Sequence, residues 1–365
     1  MKIIAFKMLF NFTLMNQSLV NQNVFTETCK PWVEKHRPKQ TTNIVQQSNL
    51  KKIIDAAQIH SNMPHLLLYG PPGCGKTTTA FSIRRQYYYS KERNISENKQ
   101  IYVERVLELN ASDERGIQIV KGKIKTFAEK KIIIRKGIPN FKLIILDECD
   151  AMTSDSQLAL RRTMEDYSID TRFIMICNNH NQIIVPVRSR ALMIRYKHID
   201  IDHMKIVIKN IAEKENITVS TIYLNRLHSI TNGDLRKAIN LLEQCDLMYG
   251  EHTLTSLNEC AGMIDENFFN NIIETLVNPN INIHEDLIKL TKDFINESYS
   301  VPALLYDLFN FINNSKKCNE VQVKMNLIDV MSSVDASINI KTNESIILLY
   351  LFTSFHYYLA MNIQK

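Results

Sequence analysis

The segment Gly70-Pro71-Pro72-Gly73-Cys74-Gly75-Lys76-Thr77 has the spacing G-x-x-x-x-G-K-[ST], a set of residue types suited to holding phosphates. Glycines admit backbone angles that let successive N–H groups turn inward around phosphate oxygens, and a helix that follows adds its positive N-terminal end. Lys76 supplies a cation for the outer phosphates and Thr77 a hydroxyl for Mg²⁺. Further on, Asp147-Glu148 closes an apolar run. In phosphate-loop proteins an aspartate there helps hold Mg²⁺, and the adjacent glutamate can accept a hydrogen bond from an attacking water. Asn178-Asn179 closes a second such run. A neutral amide there could orient water without competing for a metal, or it could simply form a turn. Arg190 reads either as a surface turn residue or as an arginine that stabilises transition-state charge, and spacing leaves both open.

These residues need strand tips and helix starts to hold them. Leu66-Leu67-Leu68-Tyr69 predicts a buried strand leading into the loop, and TTTAFSIRRQ a helix leaving it. Further strands are expected at Arg105–Leu109, Phe141–Leu146, Arg172–Cys177 and Leu192–Arg195. Helices are expected at Ser48–Ile59, Ile117–Ala128 and Ser154–Tyr167. Strands alternating with helices over this length make a mostly parallel sheet covered on both faces. The proline-bounded PWVEKHRPK reads as an extended arm. Beyond Asp202 strand signals fade, and helices are expected at about 202–216, 220–230 and 233–248, then helical pattern to the end.

The chain has 365 residues, 45% hydrophobic and 22% charged, which is ordinary globular composition, and its length suggests two or three domains. A net charge of +6 permits a polyanionic partner without requiring one. Between Lys121 and Lys136, however, seven Lys/Arg stand against one acid, Glu129. That run is either a solvated helix face or a phosphate-tracking one. Seven scattered cysteines without a C-x-x-C pair argue against a disulfide framework or a zinc site, and fit a cytosolic or nuclear compartment. The apolar opening is interrupted by Lys7 and Asn11 and shows no cleavage signal, so residues 1–25 are expected to be a disordered extension. No stretch has the uninterrupted apolar length of a membrane span.

The ordered set PWVEKHRPK, GPPGCGKT, LELNASDERGI, LIILDECD, ALRRTME, RFIMICN, VRSRA and GDLRKAINLLE resembles the small subunits of eukaryotic replication factor C, the clamp loader of the AAA+ ATPases. Within that family DAMTSDSQ and VDASINIKTNESI look most like the subunit numbered 3 or 5 in different nomenclatures. The resemblance implies an extension over 1–25, an AAA+ nucleotide-binding domain over 26–200, a helical lid over 201–262 and an all-α collar over 263–365. It implies an ATP hydrolase of DNA replication and repair, located in the nucleus and using ATP and Mg²⁺. Its partners would be other replication factor C subunits in a pentamer, the sliding clamp, and primer–template DNA bound without regard to sequence.

Roles then carry over position by position. Gly70, Pro71, Pro72, Gly73, Cys74, Gly75, Lys76, Thr77 and Thr78 would form the nucleotide cradle, with Val33, Arg37 and Pro38 bordering adenine. Thr77 and Asp147 would hold Mg²⁺, Glu148 would polarise the attacking water, Asn178 would be sensor 1, and Arg236 sensor 2. Arg190 would act in trans on ATP bound by the next subunit, with Arg161 assisting. Arg115, Lys121 and Lys125 would track the DNA backbone. Three positions depart from the family: Ala191 for the usual Cys, Cys149 for the usual Ala, and His36 where Tyr is common. None removes a charge the chemistry needs. Two other classes compete: a non-hydrolysing scaffold that donates only Arg190, and another AAA+ motor acting on DNA or protein.

Overall fold

A computed structural model describes residues 30–38, 63–90, 93–112, 117–135, 137–279, 282–314, 321–340 and 343–363. The extension over 1–25, the helix expected from Ser48, and Arg115 lie outside these residues. The chain divides into two compact units, Met1–Glu243 and Gln244–Lys365.

The first unit is built on a five-stranded parallel sheet in the order β2-β3-β4-β1-β5. Its strands are β1 (Leu66–Tyr69), β2 (Val106–Asn110), β3 (Lys142–Asp147), β4 (Thr171–Cys177) and β5 (Leu192–Arg195). The three central strands are buried over nearly their whole length, which is why they read as unbroken apolar runs, while edge strand β5 is largely exposed. Helices α1 (Trp32–Lys35), α2 (Lys76–Tyr88), α3 (Ile95–Arg105), α4 (Ile117–Glu129), α5 (Ser154–Asp166) and α6 (Val185–Arg188) complete this part.

Alternation along the strands sends Leu67, Ile144, Leu146, Phe173 and Met175 to one face, where they pack with Ile124 and Phe127 of α4 and Leu160 and Met164 of α5. Helices α2 and α3 pack against the sheet as well. Each fully buried Leu, Ile or Phe contributes roughly 2 kcal/mol of transfer free energy, so the central strands are the least deformable part of the unit. Buried Lys142 extends this rigidity to α4: its Nζ donates to the carbonyls of Phe127, Ala128 and Lys130 at 3.3, 2.5 and 2.6 Å, capping that helix's last turn.

Elements differ from the sequence expectation at three places, one of them α6, which the sequence left unassigned ahead of β5. The arm is not wholly extended, because Pro31 starts the short helix α1. Helix α3, with only Asn98, Ile101 and Arg105 buried, precedes β2 in a stretch whose apolar residues are too few to show a helical period.

Three helices close the first unit's chain: α7 (Ile201–Glu215), α8 (Thr221–Thr231) and α9 (Leu235–Tyr249), the last reaching across the border at residue 243. Asn216 ends α7 in the left-handed conformation that asparagine tolerates, and the Ser220 side chain accepts the Tyr223 N–H to start α8.

The second unit is all helical among the described residues, with α10 (Leu254–Cys260), α11 (Glu266–Val277), α12 (Ile283–Asn296), α13 (Val301–Asn314), α14 (Val321–Asn339) and α15 (Glu344–Ile363). α15 lies at its centre, burying Leu348, Leu351, Phe352, Phe355 and Leu359 against Leu276 of α11, Phe294 of α12 and Leu327 of α14. Long as it is, no helix among the described residues is both long and apolar enough to cross a membrane.

Candidate functional site

Parallel pairing fixes where the strand tips end. Tyr69 is level with Cys177, and Asn110 with Asp147, so Gly70, Glu148 and Asn178 emerge at the carboxyl edge of the sheet. This is where open α/β sheets place their ligands. Gly73 has φ +67° and Gly75, immediately before α2, has φ +89°; both lie in the left-handed region that side chains disfavour. A Cβ at Gly75 would meet nothing within 4 Å, so the backbone there is open to a ligand.

Lys76 opens α2 and is 7% exposed. Its Nζ donates to the carbonyls of Gly70 and Pro71 at 2.7 and 2.6 Å and to Asn178 Oδ1 at 3.0 Å. All three acceptors are neutral, as is the Cys74 Sγ at 4.0 Å. A buried cation satisfied only by neutral groups gains most from an anion brought beside it. Thr77 Oγ1 donates to Asp147 Oδ2 at 2.9 Å, bringing a hydroxyl and a carboxylate from different elements together. Two hard oxygen donors without a fuller protein cage suit Mg²⁺, which keeps water and phosphate oxygens as its other ligands. Among the described residues no cluster of three His, Cys, Asp or Glu could hold a metal alone.

Glu148, at φ 54°, is a non-glycine residue in the left-handed region, held by its N–H to Asp147 Oδ1 at 2.9 Å. Such backbone strain is found where a side chain must be aimed. Asp150 fixes the other strand tip: its Oδ2 accepts the N–H groups of Asn178 and Asn179 at 2.9 and 3.1 Å. Asp150 lies inside LIILDECD, yet nothing in the sequence separated it from a surface acid.

The cysteines here are inert. Burial raises the Cys74 thiol above its usual range, and burial together with Asp150 pushes Cys177 up to about 12. Burial also drives Cys149 upward. None supplies a thiolate nucleophile near neutral pH.

One cleft gathers these groups. It is lined by Val33, Arg37 and Pro38 of the arm, by the loop from Pro72 to Thr78, by Asp147, Glu148 and Asn178 of the sheet edge, and by Arg236 of α9. Gly70 and Pro71 stand just behind it, touching Lys76 through their carbonyls. Val207 and Ile211 of α7 and Ile239 of α9 add an apolar wall, which the sequence did not reveal.

The arm is tied to that wall by two carboxylates that the sequence gave no reason to notice. Glu243 accepts the Trp32 N–H at 3.1 Å, and Glu215 takes Lys35 Nζ at 2.7 Å and the His36 ring. Burial opposes the Glu215 charge, but Lys35 and His36 hold the carboxyl below its ordinary range. Arg37 lies over the Phe81 ring of α2 at 5.3 Å, so the arm spans from the phosphate-loop helix to α7.

Arg190 stands elsewhere. It lies just after α6, pairs with Glu165 on α5, and does not line the cleft. Lys125 is exposed on α4 with Glu129 at 3.8 Å, and Lys121 lies on the same helix.

Residues 66–199 match the ATPase family associated with various cellular activities (AAA), and residues 207–247 match the RCF1/5-like AAA+ ATPase lid domain. Replication factor C subunit 2 of Schizosaccharomyces pombe is 35% identical over 329 residues, 89% of this chain and 93% of that one. Replication factor C subunit 5 of Homo sapiens is 33% identical over 325 residues, 89% and 91% of the two chains. Subunit 4 of Arabidopsis thaliana is 37% identical over 292 residues, 78% and 83%. Relatives numbered 2, 4 and 5 at similar identity do not single out one subunit number.

Proposed function

The chain belongs to the replication factor C small-subunit family of AAA+ ATPases, and on that footing we propose that it is an ATP-hydrolysing subunit of a heteropentameric clamp loader. It helps open a sliding clamp and place it on primer–template DNA, with release coupled to hydrolysis. The observation that carries this reading is the single cleft in which Lys76, Thr77, Asp147, Glu148, Asn178 and Arg236 meet.

In that cleft the N–H groups from Gly73 to Thr78 surround the phosphates of ATP, and Lys76 exchanges its carbonyl contacts for phosphate oxygens. Val33, Arg37 and Pro38 border the adenine. Thr77 and Asp147 would hold Mg²⁺, which when bound would neutralise charge on the phosphate oxygens. Glu148, aimed by its strained backbone, accepts a hydrogen bond from the attacking water, and the Asn178 amide helps orient that water. Arg236 reaches in from α9, so nucleotide binding draws the 201–262 lid toward the loop. The 263–365 helices serve as the collar through which subunits associate.

Arg190, outside its own cleft, serves ATP held by the neighbouring subunit. A chain with a cis site and an outward arginine supplies both halves of an inter-subunit site. Arg115, Lys121 and Lys125 meet DNA phosphates, giving sequence-independent and salt-sensitive binding. A protein in these roles works in the nucleus, as likeness to replication factor C implies.

The test is steady-state ATP hydrolysis by this chain reconstituted with the other replication factor C subunits. Hydrolysis is expected to rise when primer–template DNA and clamp are added together. A rate indifferent to both contradicts the clamp-loader reading.

A further inference from the structure

Away from the cleft, α5 and the turn after α6 bring three charged side chains together. Glu165 Oε1 accepts a hydrogen bond from Arg161 Nε at 3.1 Å and a second from Arg190 Nη2. Arg190 Nη1 also donates to the Pro186 carbonyl at 2.7 Å. One carboxylate oxygen therefore holds two guanidiniums that come from different segments and would otherwise repel each other.

Stability does not account for this arrangement. Exposed ion pairs contribute little, and an arginine placed four residues before a glutamate is the weaker of the two helical orders. What the triad does achieve is a receptor with an excess positive charge at a fixed place. Hydrogen bonding from Arg161, with the charges of Arg161 and Arg190, holds the Glu165 carboxyl below its usual range, so it stays ionised around neutral pH. A guanidinium has five N–H donors, and Arg190 uses two of its nitrogens here, leaving donors free for an incoming anion without breaking the tether.

We propose that Glu165 is a positioning residue which assembles Arg161 and Arg190 into one two-armed receptor for the terminal phosphate of a nucleoside triphosphate held by the neighbouring subunit. The proposal rests on the reading of Arg190 as an arginine acting in trans. Glu165 touches neither substrate nor metal. It sets the direction of Arg190 before the subunits meet, so that little reorganisation remains for the transition state.

The experiment uses the reconstituted complex, with hydrolysis confined to the site that Arg190 faces by inactivating the phosphate loops of the other subunits. Glu165→Ala is expected to lower kcat at that site about tenfold, with KM for ATP changed less than about twofold. Arg190→Ala is expected to lower it at least as much, and adding Glu165→Ala to Arg190→Ala to cost nothing further. Glu165→Gln, which keeps an acceptor oxygen and disturbs the exposed helix surface least, should recover part of the rate. If Glu165→Ala leaves kcat unchanged, or multiplies the defect of Arg190→Ala, Glu165 does not act through Arg190 and the proposal is overturned. If Arg190→Ala itself has no effect, the trans reading beneath it falls as well.

Discussion

Replacing Gly73 with alanine should damage the lid through the phosphate loop. Gly73 has φ +67°, and a Cβ there would lie 1.7 Å from Asp234 Oδ1 and 2.4 Å from its Cγ, so the carboxylate must move. That carboxylate is buried and accepts the Lys237 N–H at 3.1 Å, capping the start of α9, while the Gly73 carbonyl accepts the Leu235 N–H at 3.3 Å. Two costs follow. A left-handed alanine costs about 1 kcal/mol, and losing the cap about another 1 kcal/mol, making about 2 kcal/mol for Gly73→Ala. Asp234→Ala alone loses only the cap, about 1 kcal/mol. In the double variant the cap is already gone and the new methyl has room, so the total stays near about 2 kcal/mol rather than the additive sum, a coupling of about 1 kcal/mol. Equilibrium urea unfolding followed by the single tryptophan, Trp32, measures this, because its backbone N–H ties that residue to Glu243 on α9. Nucleotide titration should show weaker binding by Gly73→Ala, since Arg236 lies two residues beyond the displaced Asp234. Strictly additive costs, or a Gly73→Ala protein as stable as wild type, would refute the contact between loop and lid as the cause.

Lys76→Ala should abolish nucleotide binding at this subunit, since buried charge–phosphate contacts are worth several kcal/mol, roughly a hundredfold or more in Kd. Normal affinity in a calorimetric titration would sink the phosphate-loop assignment. A second expectation concerns acid. His65, just before β1, accepts the Phe173 N–H on Nδ1 at 3.2 Å, which requires the neutral ring. Burial, and then Arg172, lower its pKa from 6.5 to about 4. The unfolded chain thus binds the proton more readily than the folded one. Stability from this group is complete above about pH 6.5 and declines as pH falls toward about 4, by at most about 3 kcal/mol before solvent screening. His65→Gln keeps an acceptor without titrating, so its urea midpoint should vary less across that window; parallel pH profiles would contradict the assignment.

The sheet was legible because its central strands are buried on both faces and therefore apolar without interruption, and because their tips carry the residues that do chemistry. β5, Leu192–Arg195, was read with its observed bounds even though it is an exposed edge, because its LMIR run stands out from polar flanks. Helix α3 was not legible: three buried residues among eleven leave too faint a period, and the VERV that ends it looks like the start of β2. For the site, residue types marked Lys76, Thr77, Asp147 and Asn178 because phosphate chemistry restricts what can stand there. Asp150, Glu215, Glu243 and Glu165 could not be marked in the same way. Each accepts at least one hydrogen bond from a group brought near only by folding, 28 residues away for Asp150, 25 for Glu165 and 211 for Glu243, and an acid in such a role has no local pattern. Glu148 was marked by its neighbour, but its left-handed backbone emerges only in three dimensions.

Whether this subunit hydrolyses ATP in its own cleft is tested by changing the carboxylate assigned to polarise the attacking water. Glu148→Gln keeps size and backbone while removing the charge that polarises water. In the complex reconstituted with the other subunits, with primer–template DNA and clamp present, this site is expected to bind ATP normally while its hydrolysis falls by about a hundredfold or more. Unchanged DNA- and clamp-stimulated hydrolysis, measured with the other subunits' sites inactivated, would contradict the account and leave this chain as a scaffold that lends Arg190 to its neighbour.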